Sequence, residues 1–357
     1  MKTIEVALGR RSYSVAIGAG LIDEAFERLA PHARSKRIVA VTDENVWAAQ
    51  GARLAESGLD VVPLVVPAGE ASKSWAQLQA LTDRLLALGI ERGDSILAFG
   101  GGMVGDLAGF AASILKRGCP YVQVPTSLLA QVDSSVGGKT AINSAAGKNL
   151  IGAFHQPAAV LIDPSTLDTL PDRELRAGYA EVVKYGLIGD GAFFDWCETN
   201  YGALLARDQA ALLHAIETCV RAKAAIVAED ERETRGRRAL LNFGHTFAHA
   251  FEAESDFAIL HGEAVALGMI LAFRYSAERG LCAGGEAERV ARHLDAAGLA
   301  AIAGFDPKRL VARMASDKKA SGGRVPFVLT RGIGKAFVDR SVELSEVEAF
   351  LGRIMAL

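Results

Sequence analysis

The chain opens on two short runs in which apolar and polar residues alternate, Ile4/Val6/Leu8 and Tyr13/Val15/Ile17, separated by Gly9-Arg10-Arg11. A period of two marks a strand with one buried face, so residues 2–18 predict a hairpin that adds edge strands to a sheet. The period then lengthens. A helical stretch from Leu21 to Ala30 precedes an apolar strand Ile38–Val41, a helix from Asn45, a strand Val61–Val66 and an amphipathic helix Ser74–Leu88 closed by Gly89. Apolar runs at Ser95–Phe99, Tyr121–Val124 and Val160–Ile162 continue the series. Strands that are apolar throughout and alternate with helices predict a parallel sheet covered by helices. After Asp163-Pro164 the pattern becomes helical: Asp172–Ile188, Asp208–Glu229, Asn242–Glu254, His261–Arg279 and Glu286–Ala297, with only Val325–Leu329 and Ala336–Val338 reading as strands. The expectation is an α/β domain over 1–163 and a mainly helical domain over 164–357.

A length of 357 residues exceeds what one core usually supports, which agrees with two domains. Hydrophobic residues make up 50% and charged residues 23%, the balance of a globular protein without extended disorder. The net charge of −3 argues against nucleic acid as a partner, because binding a phosphate backbone needs a strong positive field. Any anionic substrate must therefore be held by a local cluster. Cys119, Cys197, Cys219 and Cys282 are widely spaced and form no C-x-x-C pair, so they read as reduced thiols of a cytoplasmic protein. The first residues carry Glu5, Arg10 and Arg11 without the apolar core of a secretory signal, and no apolar run is long enough to span a membrane.

Three stretches carry chemistry. Gly100-Gly101-Gly102-Met103-Val104-Gly105 satisfies G-x-G-x-x-G between a strand and a helix, where glycines let backbone approach a pyrophosphate and the helix start supplies N–H groups. It comes late in the chain, so the topology should depart from the ordinary dinucleotide fold. Asp43, at the end of an earlier strand, could meet a ribose hydroxyl or simply cap the helix from Asn45. In the second stretch, Gly138-Lys139-Thr140 mimics the end of a P-loop, but Asp133 stands where the first glycine is required. Lys139, Lys148 and Asn149 instead offer two ammonium groups and an amide to an anionic, oxygenated substrate. The third stretch, Asn242-Phe243-Gly244-His245-Thr246-Phe247-Ala248-His249, sets two imidazoles one helical turn apart, able to face one point, with His261 soon after. Thr246 replaces the glutamate of H-E-x-x-H, which removes the main support for a zinc hydrolase.

Taken in order, Gly100–Asp106, Pro125–Thr140, Gly147–Gly152, Tyr179–Gly186, Asn242–His249 and His261–Ala264 closely resemble 3-dehydroquinate synthases, members of the sugar-phosphate cyclase group, over nearly the whole length. The resemblance implies an N-terminal Rossmann-like domain that binds NAD and a C-terminal helical domain that binds metal and substrate. It implies Glu181, His245 and His261 as ligands of Zn2+ or Co2+. It places Asp133, Lys139, Lys148, Asn149, Lys184, Lys223, Arg238, Asn242 and His249 around the substrate, with Lys318 or Lys319 closing the site. Asp43, Asn45, Glu70, Lys73, Gly101, Gly102, Asp106, Thr126, Ser127 and Thr169 would contact NAD, as would Lys139 and Lys148.

The implied reaction converts 3-deoxy-D-arabino-heptulosonate 7-phosphate to 3-dehydroquinate and phosphate, a step of the shikimate pathway. It runs through transient oxidation, β-elimination, re-reduction and an intramolecular aldol closure. Lys139, Lys184, Arg238, Asn242 and His249 are the candidates for catalysis, His249 for proton handling and Lys184 as a charge partner of Glu181 on one helix face. Arg117, in Lys116-Arg117-Gly118, would reach the substrate phosphate from the neighbouring subunit of a homodimer. Alternatives are a sister cyclase acting on another sugar phosphate, or a metal-dependent dehydrogenase of the glycerol dehydrogenase type.

Overall fold

The structure is a computed structural model that describes the chain apart from residues 34–36, 146, 257, 300–303, 316–324 and 356–357. Strands β1 (Lys2–Val6) and β2 (Tyr13–Ile17) form the expected hairpin, paired from Lys2↔Ile17 to Val6↔Tyr13. There follow α1 (Ala25–Leu29), β3 (Arg37–Asp43), α2 (Glu44–Ala55), β4 (Asp60–Val66), α3 (Trp75–Ala87), β5 (Ile96–Gly100), α4 (Gly102–Ile114), β6 (Tyr121–Pro125), β7 (Lys139–Ser144), β8 (Gly147–Phe154) and β9 (Ala159–Ile162). One 7-stranded sheet has the order β1-β2-β9-β6-β5-β3-β4, and every pairing except the β1–β2 hairpin is parallel.

The strands read as continuous apolar runs because both faces are covered. Val39, Val41, Ile96, Ala98 and Tyr121 pack with Leu78, Leu81, Leu85, Val104 and Leu107 of α3 and α4. Their neighbours Ile38, Ala40, Leu97, Phe99, Val122 and Val124 point the other way, to Ala25, Leu29 and Leu54 of α1 and α2. The chain thus leaves β3 towards one face and β5 towards the other. Strand order reverses between them, and in such sheets ligands bind in the crevice at the carboxyl ends of the strands where this happens. Here those ends are Asp43 and Gly100.

Beyond β9 come α5 (Asp172–Gly189), α6 (Gly191–Leu205), α7 (Gln209–Glu229), α8 (His245–Glu254), α9 (His261–Glu278), α10 (Gly284–Ala296), α11 (Pro307–Ala315), β10 (Phe327–Thr330), β11 (Ala336–Asp339) and α12 (Leu344–Met355). The chain divides into two compact units, Met1–Pro171 with Arg207–Arg232, and Asp172–Ala206 with Glu233–Leu357. A single cut at residue 163 therefore misplaces α7, which belongs with the sheet. Helical periodicity shows that a segment buries one face, but not which core receives it. Helix α6 and the antiparallel β7–β8 hairpin, paired from Lys139↔Phe154, were likewise not anticipated. Among the described residues no helix is long and apolar enough to cross a membrane.

Candidate metal centre and cofactor crevice

In the second unit Glu181 lies within α5, while His245 and His261 open α8 and α9. One carboxylate oxygen and one nitrogen from each ring lie within 4.8 Å of one another, a set that could hold a metal ion. Glu181 Oε1 is 3.6 Å from His245 Nε2 and 3.4 Å from His261 Nε2. One carboxylate and two imidazoles suit a catalytic Zn2+-type site, because three protein donors leave a coordination position for substrate. The three helices come together through glycines. A Cβ on Gly262 of α9 would lie 1.8 Å from the carbonyl oxygen of Ala177 in α5, and one on Gly268 would lie 2.1 Å from that of Gly244, just before α8. The backbones of the ligand-bearing helices touch, and only glycine permits that.

The remaining ring nitrogens are engaged as well. His245 Nδ1 lies 3.1 Å from the Phe243 carbonyl and His261 Nδ1 lies 3.4 Å from Glu252 Oε1, which leaves both Nε2 atoms towards Glu181. Outer contacts of this kind fix ring orientation and raise ligand basicity. Burial pushes His245 down to about 3, with Glu181 opposing it. Burial acts on His261 in the same direction, but Glu181 and Glu252 outweigh it and hold that ring up at about 10. A cation bound here would thus displace a proton from His261. Lys184 forms an ion pair with Glu181 Oε2, each side chain only 1% exposed, so the expected partnership on one helix face is present.

The two rings of the i, i+4 pair lie close together, but only His245 belongs to the donor set. His249 is exposed, its ring centroid 5.7 Å from that of His245 in an edge-on arrangement, and it lies outside the three-donor set. His261, with its centroid 5.3 Å from His245, is the second imidazole of the set, as the resemblance implies. His245 is the first residue of its helix. Arg238 and Asn242 share a short 3-10 helix, Arg238 buried and Asn242 donating to Glu233 Oε1 at 3.0 Å.

In the first unit the glycine turn joins β5 to α4, and Gly101 caps α4 without a side-chain hydrogen bond. Lys73 is the hub beside it. Its buried ammonium lies 2.6 Å from Asp106 Oδ2 and 3.5 Å from Glu70 Oε1, and it also donates to Asn149 Oδ1. Burial opposes the charge on Lys73, but Asp106 and Glu70 win and hold its pKa above the ordinary lysine range. Asp43 caps α2, accepting from the Asn45 and Val46 amides at 3.0 Å each. Thr126 donates its amide to the Gly100 carbonyl at 3.0 Å, and Ser127 Oγ accepts from the Ala130 amide at 3.4 Å. Thr169 Oγ1 accepts from Gln50 at 2.8 Å.

The buried Lys223 donates to Asp133, at 2.6 Å to its carbonyl and 2.9 Å to its carboxylate. Lys139 starts β7 while Lys148 and Asn149 lie beside the turn in β8, roughly 13 Å along the ladder at strand rise, so closeness in sequence is not closeness along the hairpin. Arg117 is exposed within Lys116-Arg117-Gly118, where φ is 50°, 67° and 117° in turn. Lys318 and Lys319 lie outside the described residues. One polar residue of the metal centre escaped sequence reasoning: Glu252, which carried a usable signal, seven residues after His245 in the same helix.

A doubly wound sheet with a glycine turn at its reversal point, and a Glu/His/His set with a buried lysine, define a class: metal-dependent enzymes built on a nucleotide-binding type of sheet. The 3-dehydroquinate synthase N-terminal family matches residues 63–177 and its C-terminal counterpart matches residues 178–320. The chain belongs to the 3-dehydroquinate synthase family. It is 54% identical to the 3-dehydroquinate synthase of Zymomonas mobilis, over 99% of this chain and 96% of that one. Among solved structures it resembles a 2-epi-5-epi-valiolone synthase from Streptomyces hygroscopicus with NAD+ and Zn2+ bound, at 31% identity and a TM-score of 0.89 over 98% of both chains. It also resembles a 2-deoxy-scyllo-inosose synthase complexed with carbaglucose-6-phosphate, NAD+ and Co2+, at 27% identity and a TM-score of 0.89, again over 98% of both.

Proposed function

We propose that this chain converts 3-deoxy-D-arabino-heptulosonate 7-phosphate to 3-dehydroquinate and phosphate, as a cytoplasmic homodimer in the shikimate pathway. The observation that carries this reading is the Glu181/His245/His261 set with Lys184 against its carboxylate, in a chain 54% identical to a 3-dehydroquinate synthase. When bound, the metal (Zn2+ or Co2+) supplies Lewis acidity towards a substrate hydroxyl and NAD supplies a reversible hydride acceptor. Glu181, His245 and His261 hold the metal, and the contacts of Phe243 and Glu252 keep the rings aimed. Lys184 balances the Glu181 carboxylate and, with Arg238, Asn242 and His249, contacts substrate from the second unit; His249 moves protons.

In the first unit Asp43, Asn45, Glu70, Lys73, Gly101, Gly102, Asp106, Thr126, Ser127 and Thr169 bind NAD. Lys139, Lys148, Asn149, Asp133 and Lys223 contact the anionic substrate, and Lys139 and Lys148 also touch NAD. The uncapped start of α4 supports a pyrophosphate site, since free helix N–H groups attract anions. Arg117 reaches the substrate phosphate of the partner subunit; its exposure on a left-handed backbone turn supports an outward role. The test is to supply the heptulosonate phosphate, NAD+ and Zn2+ and identify the carbocycle by mass and NMR. 3-Dehydroquinate is expected. Turnover only of sedoheptulose or glucose phosphates would move the chain to a sister cyclase.

A further inference from the structure

Asn143 belongs to none of the residue sets above, yet three hydrogen bonds meet on it. Its backbone N–H donates to the Lys73 carbonyl at 2.8 Å, its Nδ2 donates to Glu70 Oε1 at 2.8 Å, and its Oδ1 accepts the Asn149 N–H at 2.9 Å. The β7–β8 ladder is irregular at this point: Ile142 pairs with Ile151 and Ser144 with Gly147, and the register shifts between them. Such irregularities turn one side chain out of the pleat, and they recur beside functional sites. Asn149, the recipient, has φ of 55°, a left-handed conformation that asparagine tolerates better than most residues. The Asn149 amide is fixed from a second side. Lys73 Nζ can only donate, so the oxygen of Asn149 faces it and Nδ2 is the end left for a ligand.

We infer that Asn143 is a positioning residue that locks the Glu70–Lys73 turn to the Lys148–Asn149 segment, so that cofactor and anionic substrate are presented by one rigid frame. The inference rests on the functional reading above, in which the turn holds NAD and the segment holds substrate. Its two side-chain bonds can be separated by chemistry. In Asn143→Asp the carboxylate still accepts from the Asn149 N–H but faces the Glu70 carboxylate with no proton to donate. In Asn143→Ser both side-chain bonds are lost while the backbone bond to Lys73 stays.

The experiment measures NAD+ dissociation constants by calorimetry on the metal-loaded protein, together with KM and kcat for the heptulosonate phosphate. Asn143→Asp is expected to weaken NAD+ binding about tenfold, as one lost hydrogen bond to a charged group would, and to leave KM for the sugar phosphate within about twofold. Asn143→Ser is expected to raise both constants. Glu70 is itself assigned to NAD, so Glu70→Gln alone is the reference for the paired variant: in that background a Gln amide can donate to the new carboxylate, and adding Asn143→Asp should change NAD+ affinity less than about twofold. A general structural role would give the same loss in both backgrounds, and no split between the two ligands. NAD+ affinity unchanged in both single variants, or an Asn143→Asp loss as large in the Glu70→Gln background as with Glu70, overturns the inference alone. A wild-type protein that fails to bind NAD+ overturns the functional reading and the inference together. If Asn143→Asp does not fold, the joint rise in Asn143→Ser decides the matter, and its absence is the contrary result.

Discussion

His261 shows what a single side chain does here, because both of its nitrogens are committed: Nε2 at 3.4 Å from Glu181 and Nδ1 at 3.4 Å from Glu252. Replacing it with alanine removes a donor and leaves two buried carboxylates without their shared cation. His261→Ala is expected to lower metal affinity by more than about 100-fold, since even the outer partners of ligands account for about 10–100-fold. NAD+ affinity should stay within about twofold, because the residues assigned to NAD belong to the other unit. Equal metal content in wild type and variant, measured after dialysis by elemental analysis, would remove His261 from the ligand set. The same residue marks a limit of sequence reading. Spacing along one helix showed only that His245 and His249 can face one point, whereas the ring that joins His245 in the donor set comes from another helix, and a sequence pattern carries no information about which helices meet.

At the scale of elements, the metal set depends on helices that touch without side chains between them. Gly262→Ala puts a methyl group where the Ala177 carbonyl oxygen stands, 1.8 Å away, so α5 and α9 must separate. Overpacking costs about 1–3 kcal/mol, and the separation also pulls Glu181 from His261. The expected outcome is a melting temperature lower by several degrees, at about 2–4 °C per kcal/mol, together with weaker metal binding. Gly352→Ala in α12 meets open space and serves as the control. A Gly262→Ala protein with unchanged metal affinity would contradict the close-contact account. These glycines were invisible as packing residues, because a helical pattern shows a Gly only as a weak helix former.

The sheet was more legible. Strands apolar at every position announced two covered faces, and the observed alternation of Val39 and Val41 against Ile38 and Ala40 is the physical origin of that pattern. The glycine turn after β5 was readable because its requirement is local, a strand running straight into an uncapped helix. The β7–β8 hairpin was not, since polar residues such as Thr140, Asn143, Lys148 and Asn149 break its apolar pattern, and Asn143 bonds Glu70 and Lys73, far away in sequence.

For the molecule as a whole, two proposed assemblies can be tested. The first is the proposed subunit pair. Mixing subunits that carry only Arg117→Ala with subunits that carry only Glu181→Ala, each inactive alone, should restore activity, because a trans arginine leaves one mixed-dimer site with neither lesion. No recovery despite proven heterodimers would assign Arg117 to its own chain or to the surface. The second is the working combination of metal, NAD and phosphate-bearing substrate, which separates this reading from a dehydrogenase of similar plan. A dehydrogenase consumes one NAD+ per turnover, whereas the proposed cycle returns the hydride. The decisive measurement supplies the heptulosonate phosphate in large excess over NAD+ and follows released phosphate and nicotinamide absorbance together. Phosphate release far beyond the NAD+ added, with no accumulation of NADH, is the predicted result. NADH rising in step with turnover, or no phosphate released at all, would contradict it.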